Sequence, residues 1–190
     1  MATPWSSCDA ESYVTFSNPA GAAAAASATA YTTALLTVLG DRDPIEVLDQ
    51  LLPWLTARVS SLDDATLRRP ETPGKWSVME VIQHLADSDL VFGYRLRMMV
   101  TEDRPAIPGY NQDAWARTFR YRDVPLASAL DQLRGQRIAN IAVLRGLTPA
   151  QLAREGLHSE RGAESAGFLL RLMAAHDLVH RRQIDRILDV

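Results

Sequence analysis

Apolar residues recur at three- and four-residue intervals along most of the chain, and helix start signals punctuate the pattern. Asp43-Pro44-Ile45-Glu46 supplies an N-cap, a proline at the first helical position and a reciprocal glutamate at N3. Leu48, Leu51, Leu52, Leu55 and Val59 follow at helical spacing, while Pro53 among them predicts a bend or an early end. A second start is the capping box Ser77-Val78-Met79-Glu80, after Pro73-Gly74. Val78, Ile82, Leu85, Phe92, Leu96 and Met99 carry that stripe to about Val100. Pro105, Pro108 and Gly109 then predict a loop over residues 102–112, with Trp115 in one or two helical turns beyond it.

A third long helix begins near Pro125, with Leu126, Leu130, Leu133, Ile141 and Leu144, and ends at Gly146. Thr148-Pro149-Ala150-Gln151 opens a short helix, and the last helix is predicted from about Glu164 to Leu188. No alternating β-branched run and no Asn-Gly hairpin signal predicts a strand. Residues 1–30 differ, with Asn18-Pro19, Gly21 and the run Ala22–Ala26, and read as a mobile tail or irregular arm. A helix from about Ala22 to Leu39 is the competing reading, because alanine favours helix. The expected architecture is all-α: a four-helix bundle over residues 31–190 with an irregular or partly helical N-terminal arm.

Composition narrows the function classes. At 190 residues the chain suits one domain, and 47% apolar with 23% charged residues is a globular balance. A net charge of −3 gives no general attraction to nucleic acid or to anionic membranes, so neither is expected as a partner. No uncharged apolar run reaches the roughly 18–20 residues that span a bilayer. The one cysteine, Cys8, forms no internal disulfide and no Cys-rich zinc site. A cytoplasmic location is the expectation.

The histidines carry the candidate chemistry. On the last helix Leu169, Leu172, Met173, Ile184 and Ile187 define an apolar face, and His176, His180 and Gln183 fall in its middle. Spacing of i, i+4 puts both imidazoles on one side, where they can share a metal. Two hydrogen-bonded core histidines, each with its own buried partner, are the other reading. His84 lies on the shoulder of the second helix's stripe, near Ser88 and Arg95, and alone reads as an edge residue. Bundles build sites from facing helices, so His84 with His176 and His180 makes a three-His site with an open fourth position. His158, between Gly156 and Gly162, is expected in a loop, either solvated or as a substrate contact.

Gly74-Lys75-Trp76-Ser77, His84-Leu85-Ala86-Asp87-Ser88 and His176-Asp177-Leu178-Val179-His180-Arg181-Arg182-Gln183-Ile184 resemble the DinB-like superfamily. Arg104-Pro105-Ala106-Ile107-Pro108-Gly109-Tyr110, with Trp115 downstream, is similar to its YfiT-like branch. The resemblance runs from roughly Asp43 to Leu188. It implies a four-helix bundle, zinc or nickel on His84, His176 and His180, a cytoplasmic location and often a homodimer. It also implies one of two activities: transfer of low-molecular-weight thiols (bacillithiol, mycothiol or glutathione) to electrophiles, or metal-dependent hydrolysis. Ala174, Ala175 and Asp177 stand where extra histidines can accompany the final pair, which puts accessory contacts in doubt.

Three functions follow as expectations. In the first, a thiol at the open position loses its proton and attacks an electrophilic small molecule as a metal-bound thiolate. In the second, metal-bound hydroxide hydrolyses the substrate, with Asp87 or Asp177 as the nearest carboxylates for acid–base work. Asp87 is also a candidate to orient a ligand imidazole. The third is a non-catalytic metal-binding protein. Tyr110, His158, Gln183 and Arg95 are the candidate substrate contacts; Tyr110 and Trp115 either line a pocket mouth or cap the bundle's apolar end.

Overall fold

The computed structural model describes residues 22–189, with side chains from residue 30. Of the expected arm, residues 1–21 and with them Cys8 lie outside the described residues. From Ala22 the chain is helical: α1 spans Ala22–Leu39, the competing reading of that stretch. Gly40 ends it at φ +58°, a left-handed conformation that suits glycine. Thr32, Leu35 and Leu39 are buried on the side of α1 that packs against the last helix.

Four long helices make the bundle: α2 (Pro44–Val59), α4 (Val78–Thr101), α6 (Leu126–Gly146) and α8 (Ala166–Leu188). Short helices α3 (Asp64–Arg68), α5 (Gln112–Thr118) and α7 (Pro149–Leu152) lie in the connections. Asp43 caps α2 by accepting from the Glu46 amide at 3.0 Å. α2 continues through Pro53 and does not end early there. Pro53 is exposed, so the carbonyl it leaves unbonded faces water, and Leu51, Leu55 and Val59 bury the helix on both sides of it. The capping boxes at Ser77 and Thr148 form with both bonds.

The sequence reading missed the strands. β1 (Ala106–Ile107) pairs in parallel with β2 (Glu155–His158), which pairs antiparallel with β3 (Gly162–Ser165). β2 and β3 contain no β-branched residue, and Gly162 at φ +79° closes a three-residue connection between them. The last helix accordingly starts at Ala166, two residues later than predicted, capped by Ser165 on the Phe168 amide at 3.1 Å. His158 is on a strand and buried, not in a solvated loop.

The core has two apolar halves. One gathers Leu48, Leu96, Met99, Ile141, Leu169 and Met173; the other gathers Leu51, Leu55, Ile82, Leu85, Leu133 and Ile184. Between them lies a buried polar layer: His84, Asp87, Ser88 and Asp89 on α4, Arg137 and Asn140 on α6, and His176, Asp177 and His180 on α8. No described helix is long and apolar enough to cross a membrane.

Candidate metal centre

The first turns of α4 and the middle of α8 aim the three histidines at one point. His84 Nε2 lies 3.1 Å from His176 Nε2, which lies 3.1 Å from His180 Nε2. All three rings are buried, and their ligand atoms lie within 4.8 Å of one another. Trp76 packs on His84 at 4.9 Å between ring centroids, and Phe92 meets His176 edge-on at 5.9 Å.

The donor set fits a metal ion. Gln183 Oε1 accepts from His180 Nδ1 at 2.7 Å, which leaves the neutral ring's Nε2 bare. Burial lowers the pKa of all three rings, His180 to about 4, and the neighbouring imidazoles lower His84 and His176 further. With the rings neutral and His180 Nε2 bare, no arrangement of protons makes both 3.1 Å contacts full linear hydrogen bonds. Three bare nitrogens around a cation account for both contacts. Tetrahedral Zn–N bonds of about 2.0–2.1 Å put nitrogens roughly 3.3 Å apart, close to what is seen. Among the described residues no carboxylate or thiol joins the three histidines.

The comparisons with known proteins agree with that geometry. The DinB superfamily profile matches residues 48–184. The chain belongs to the DinB superfamily. A relative from Geobacillus thermodenitrificans, provisionally named a metal-dependent hydrolase, is 33% identical over 143 residues, covering 74% of this chain and 79% of its own. Bacillus subtilis YfiT, provisionally named in the same way, is 31% identical over 116 residues, 61% of this chain and 65% of its own. The solved YfiT structure is described as a probable metal-dependent hydrolase with an unusual four-helix bundle topology. It matches at a TM-score of 0.68 and 28% identity, over 75% of this chain and 84% of that one. Within the superfamily the chain is YfiT-like.

The other predicted site residues of this DinB-superfamily chain divide into three groups. Gln183 holds the outer nitrogen of His180, a positioning contact where a substrate contact was expected. Asp87 does not reach an imidazole in any hydrogen bond. Its carboxylate accepts from Tyr121 Oη at 2.5 Å, Gln132 Nε2 at 2.7 Å and Gln83 Nε2 at 3.3 Å, while His84 Nδ1 has no partner among the described residues. Asp177 is buried against Arg137. The third group, Tyr110, His158 and Arg95, lines a cleft of about 110 Å³ that His176 and Ser88 border. Ser88 Oγ lies 3.4 Å from His84 Nε2 and 3.2 Å from Tyr110 Oη, so it bridges the histidines to the cleft. Trp115 packs against Tyr110 with the rings tilted and their centroids 4.8 Å apart.

Sequence reasoning missed the network beneath the site. Arg137 donates through Nε to Asp89 at 2.7 Å, through Nη2 to Asp89 at 2.9 Å and to Asp177 at 3.0 Å, and through Nη1 to Leu48 O at 3.2 Å. Asn140 Nδ2 donates to Asp89 O at 2.8 Å. A signal existed: Arg137 stands between Leu133 and Ile141, four residues from each, on the core face of α6.

Proposed function

We propose that this chain is a metal-dependent enzyme that transfers a low-molecular-weight thiol to an electrophilic substrate. The observation that carries the reading is the set of three convergent imidazole nitrogens, reached from a cleft through His176, with no carboxylate joined to them. A divalent ion such as zinc or nickel held by His84, His176 and His180 would supply the Lewis acidity that favours a thiolate at neutral pH. The chain's own residues then do the rest. Trp76 and Phe92 pack against the imidazoles and exclude water from them. Gln183 fixes the tautomer of His180. Burial raises the pKa of Tyr110, so its hydroxyl stays protonated beside Ser88 and can donate to an oxygen of the bound electrophile.

Hydrolysis calls for a base beside the attacking water. Asp87 is occupied by Tyr121 and Gln132, and Asp89 and Asp177 by Arg137. Glu160, on the cleft lining, is the carboxylate that favours hydrolysis as the second reading, together with the names of the relatives. The test is metal-loaded protein with bacillithiol, mycothiol and glutathione against a chromogenic electrophile, run beside a panel of esters and amides. The expected result is thiol-dependent turnover that is lost in His176→Ala together with the bound metal. Ester or amide cleavage without thiol would establish the second reading instead.

A further inference from the structure

The cleft beside His176 is lined by two side chains that carry buried hydrogen-bond donors with no acceptor among the described residues. Arg95 is 5% exposed; its Nη2 donates to Pro108 O at 2.5 Å, but its Nε is unpaired. His158 is 4% exposed, and its Nδ1 accepts the Glu160 amide at 3.2 Å, which puts the proton of the neutral ring on the unpaired Nε2. Burial and the Arg161 and Arg95 guanidinium groups pull His158 down to about 3, so the ring is neutral in use. Buried donors are ordinarily satisfied, and two in one cleft call for an acceptor that the chain itself does not provide.

The remaining charges set the ligand's sign. Arg161 is tied to Glu164 by two bonds of 2.7 Å. Glu160 is half-buried, and its carboxylate packs against Gly109, where a Cβ would come within 2.9 Å of Oε1. Glu160 and Glu164 act on Arg95 through space, but neither forms an ion pair with it, so its guanidinium retains room for one further negative charge, a match for a monoanion rather than a phosphate dianion. Leu35, Phe92 and Leu172 supply apolar wall.

We propose that the cleft binds a carboxylate on an apolar-bodied substrate, with Arg95 and His158 donating to its oxygens next to the histidine cluster. The carboxylate thus marks the class of substrate the enzyme takes. The inference rests on the proposed function only in treating the cleft as the substrate's side of the site.

The experiment is a titration of the metal-free chain with benzoate and with benzamide, equal in shape and different in charge. Binding is read by calorimetry and by the His158 ring signals in NMR. We expect benzoate to bind at least about tenfold more tightly than benzamide and to shift His158. Arg95→Met and His158→Phe should each reduce that preference to within about twofold, and either variant suffices if the other does not fold. Equal binding of the two probes, binding of neither, or a preference that survives the variants overturns the proposal. Neither metal nor thiol enters the titration, so its failure leaves the thiol reading standing, and failure of the thiol panel leaves this one standing.

Discussion

Gln183 does its work through a single atom. Its Oε1 takes the Nδ1 proton of His180 at 2.7 Å and so presents the other nitrogen bare to the cluster. Outer partners of metal-bound histidines typically contribute about 10–100-fold in metal affinity. Gln183→Leu should lose that much, measured by chelator competition, with Gln183→Glu retaining most of it because an acceptor remains. Unchanged affinity in the leucine variant would remove the positioning role. The sequence placed Gln183 on the histidine face correctly but offered no way to tell an outer partner from a substrate contact, since that depends on a ring rotation no pattern records.

At the scale of elements, the buried Asp89–Arg137–Asp177 network ties α4, α6 and α8 together, and Arg137 also holds Leu48 O of α2. Removing one partner of such a network strands buried charge. Arg137→Met should therefore cost about 3–5 kcal/mol in chemical denaturation. Adding Asp89→Asn and Asp177→Asn should recover a good part of it; no recovery would mean that the guanidinium matters through packing alone. Gly93 marks how closely α4 and α6 approach: a Cβ there would lie 2.2 Å from Asn140 Oδ1. Asn140 is held by Asp89 O and Arg97 and cannot swing aside freely. Gly93→Ala should cost about 1–3 kcal/mol, seen as a lowered melting temperature, and a neutral result would show that the helix pair has slack. The core-face position of Arg137 was legible in the sequence but its partners were not, and Gly93 interrupts a helical stripe there without explanation.

The whole molecule carries four buried histidines with lowered pKa values, against Asp89 and Asp177 with raised ones. Unfolded histidine takes up its proton near pH 6.5, while folded His180 waits until about 4 and His158 until about 3. Across that window the unfolded chain binds more protons at histidine, so stability falls as pH falls. The two aspartates act the other way: Asp177, raised by burial to about 6, binds its proton earlier when folded and offsets part of the loss. Four groups against two leave a net decline. We expect the metal-free chain to lose stability from about pH 6.5 towards pH 4 in urea titrations. Metal-loaded protein should lose it more steeply near the low end, where protons compete for the same nitrogens. A flat profile would mean that the aspartates balance the histidines.

By itself the sequence determined the helices, their caps and the candidate ligands. Capping boxes, apolar periodicity and i, i+4 spacing are local consequences of backbone geometry, and so α4, α6, α8 and the His176/His180 pair could be read directly. The rule that bundles build sites from facing helices brought His84 into the same set, and the resemblance of the histidine segments to one family implies the same three ligands. Tertiary structure alone decided the rest. Burial carried α2 through Pro53 despite the missing hydrogen bond, because Leu51, Leu55 and Val59 pack on both sides of it. Pairing between β2 and β3 made strands of segments without β propensity and moved His158 from an expected loop into the cleft. Asp87 went to Tyr121 and Gln132 rather than to an imidazole, because hydrogen bonds between helices depend on crossing and rotation. Those are properties of the packed bundle, and no single helix contains them.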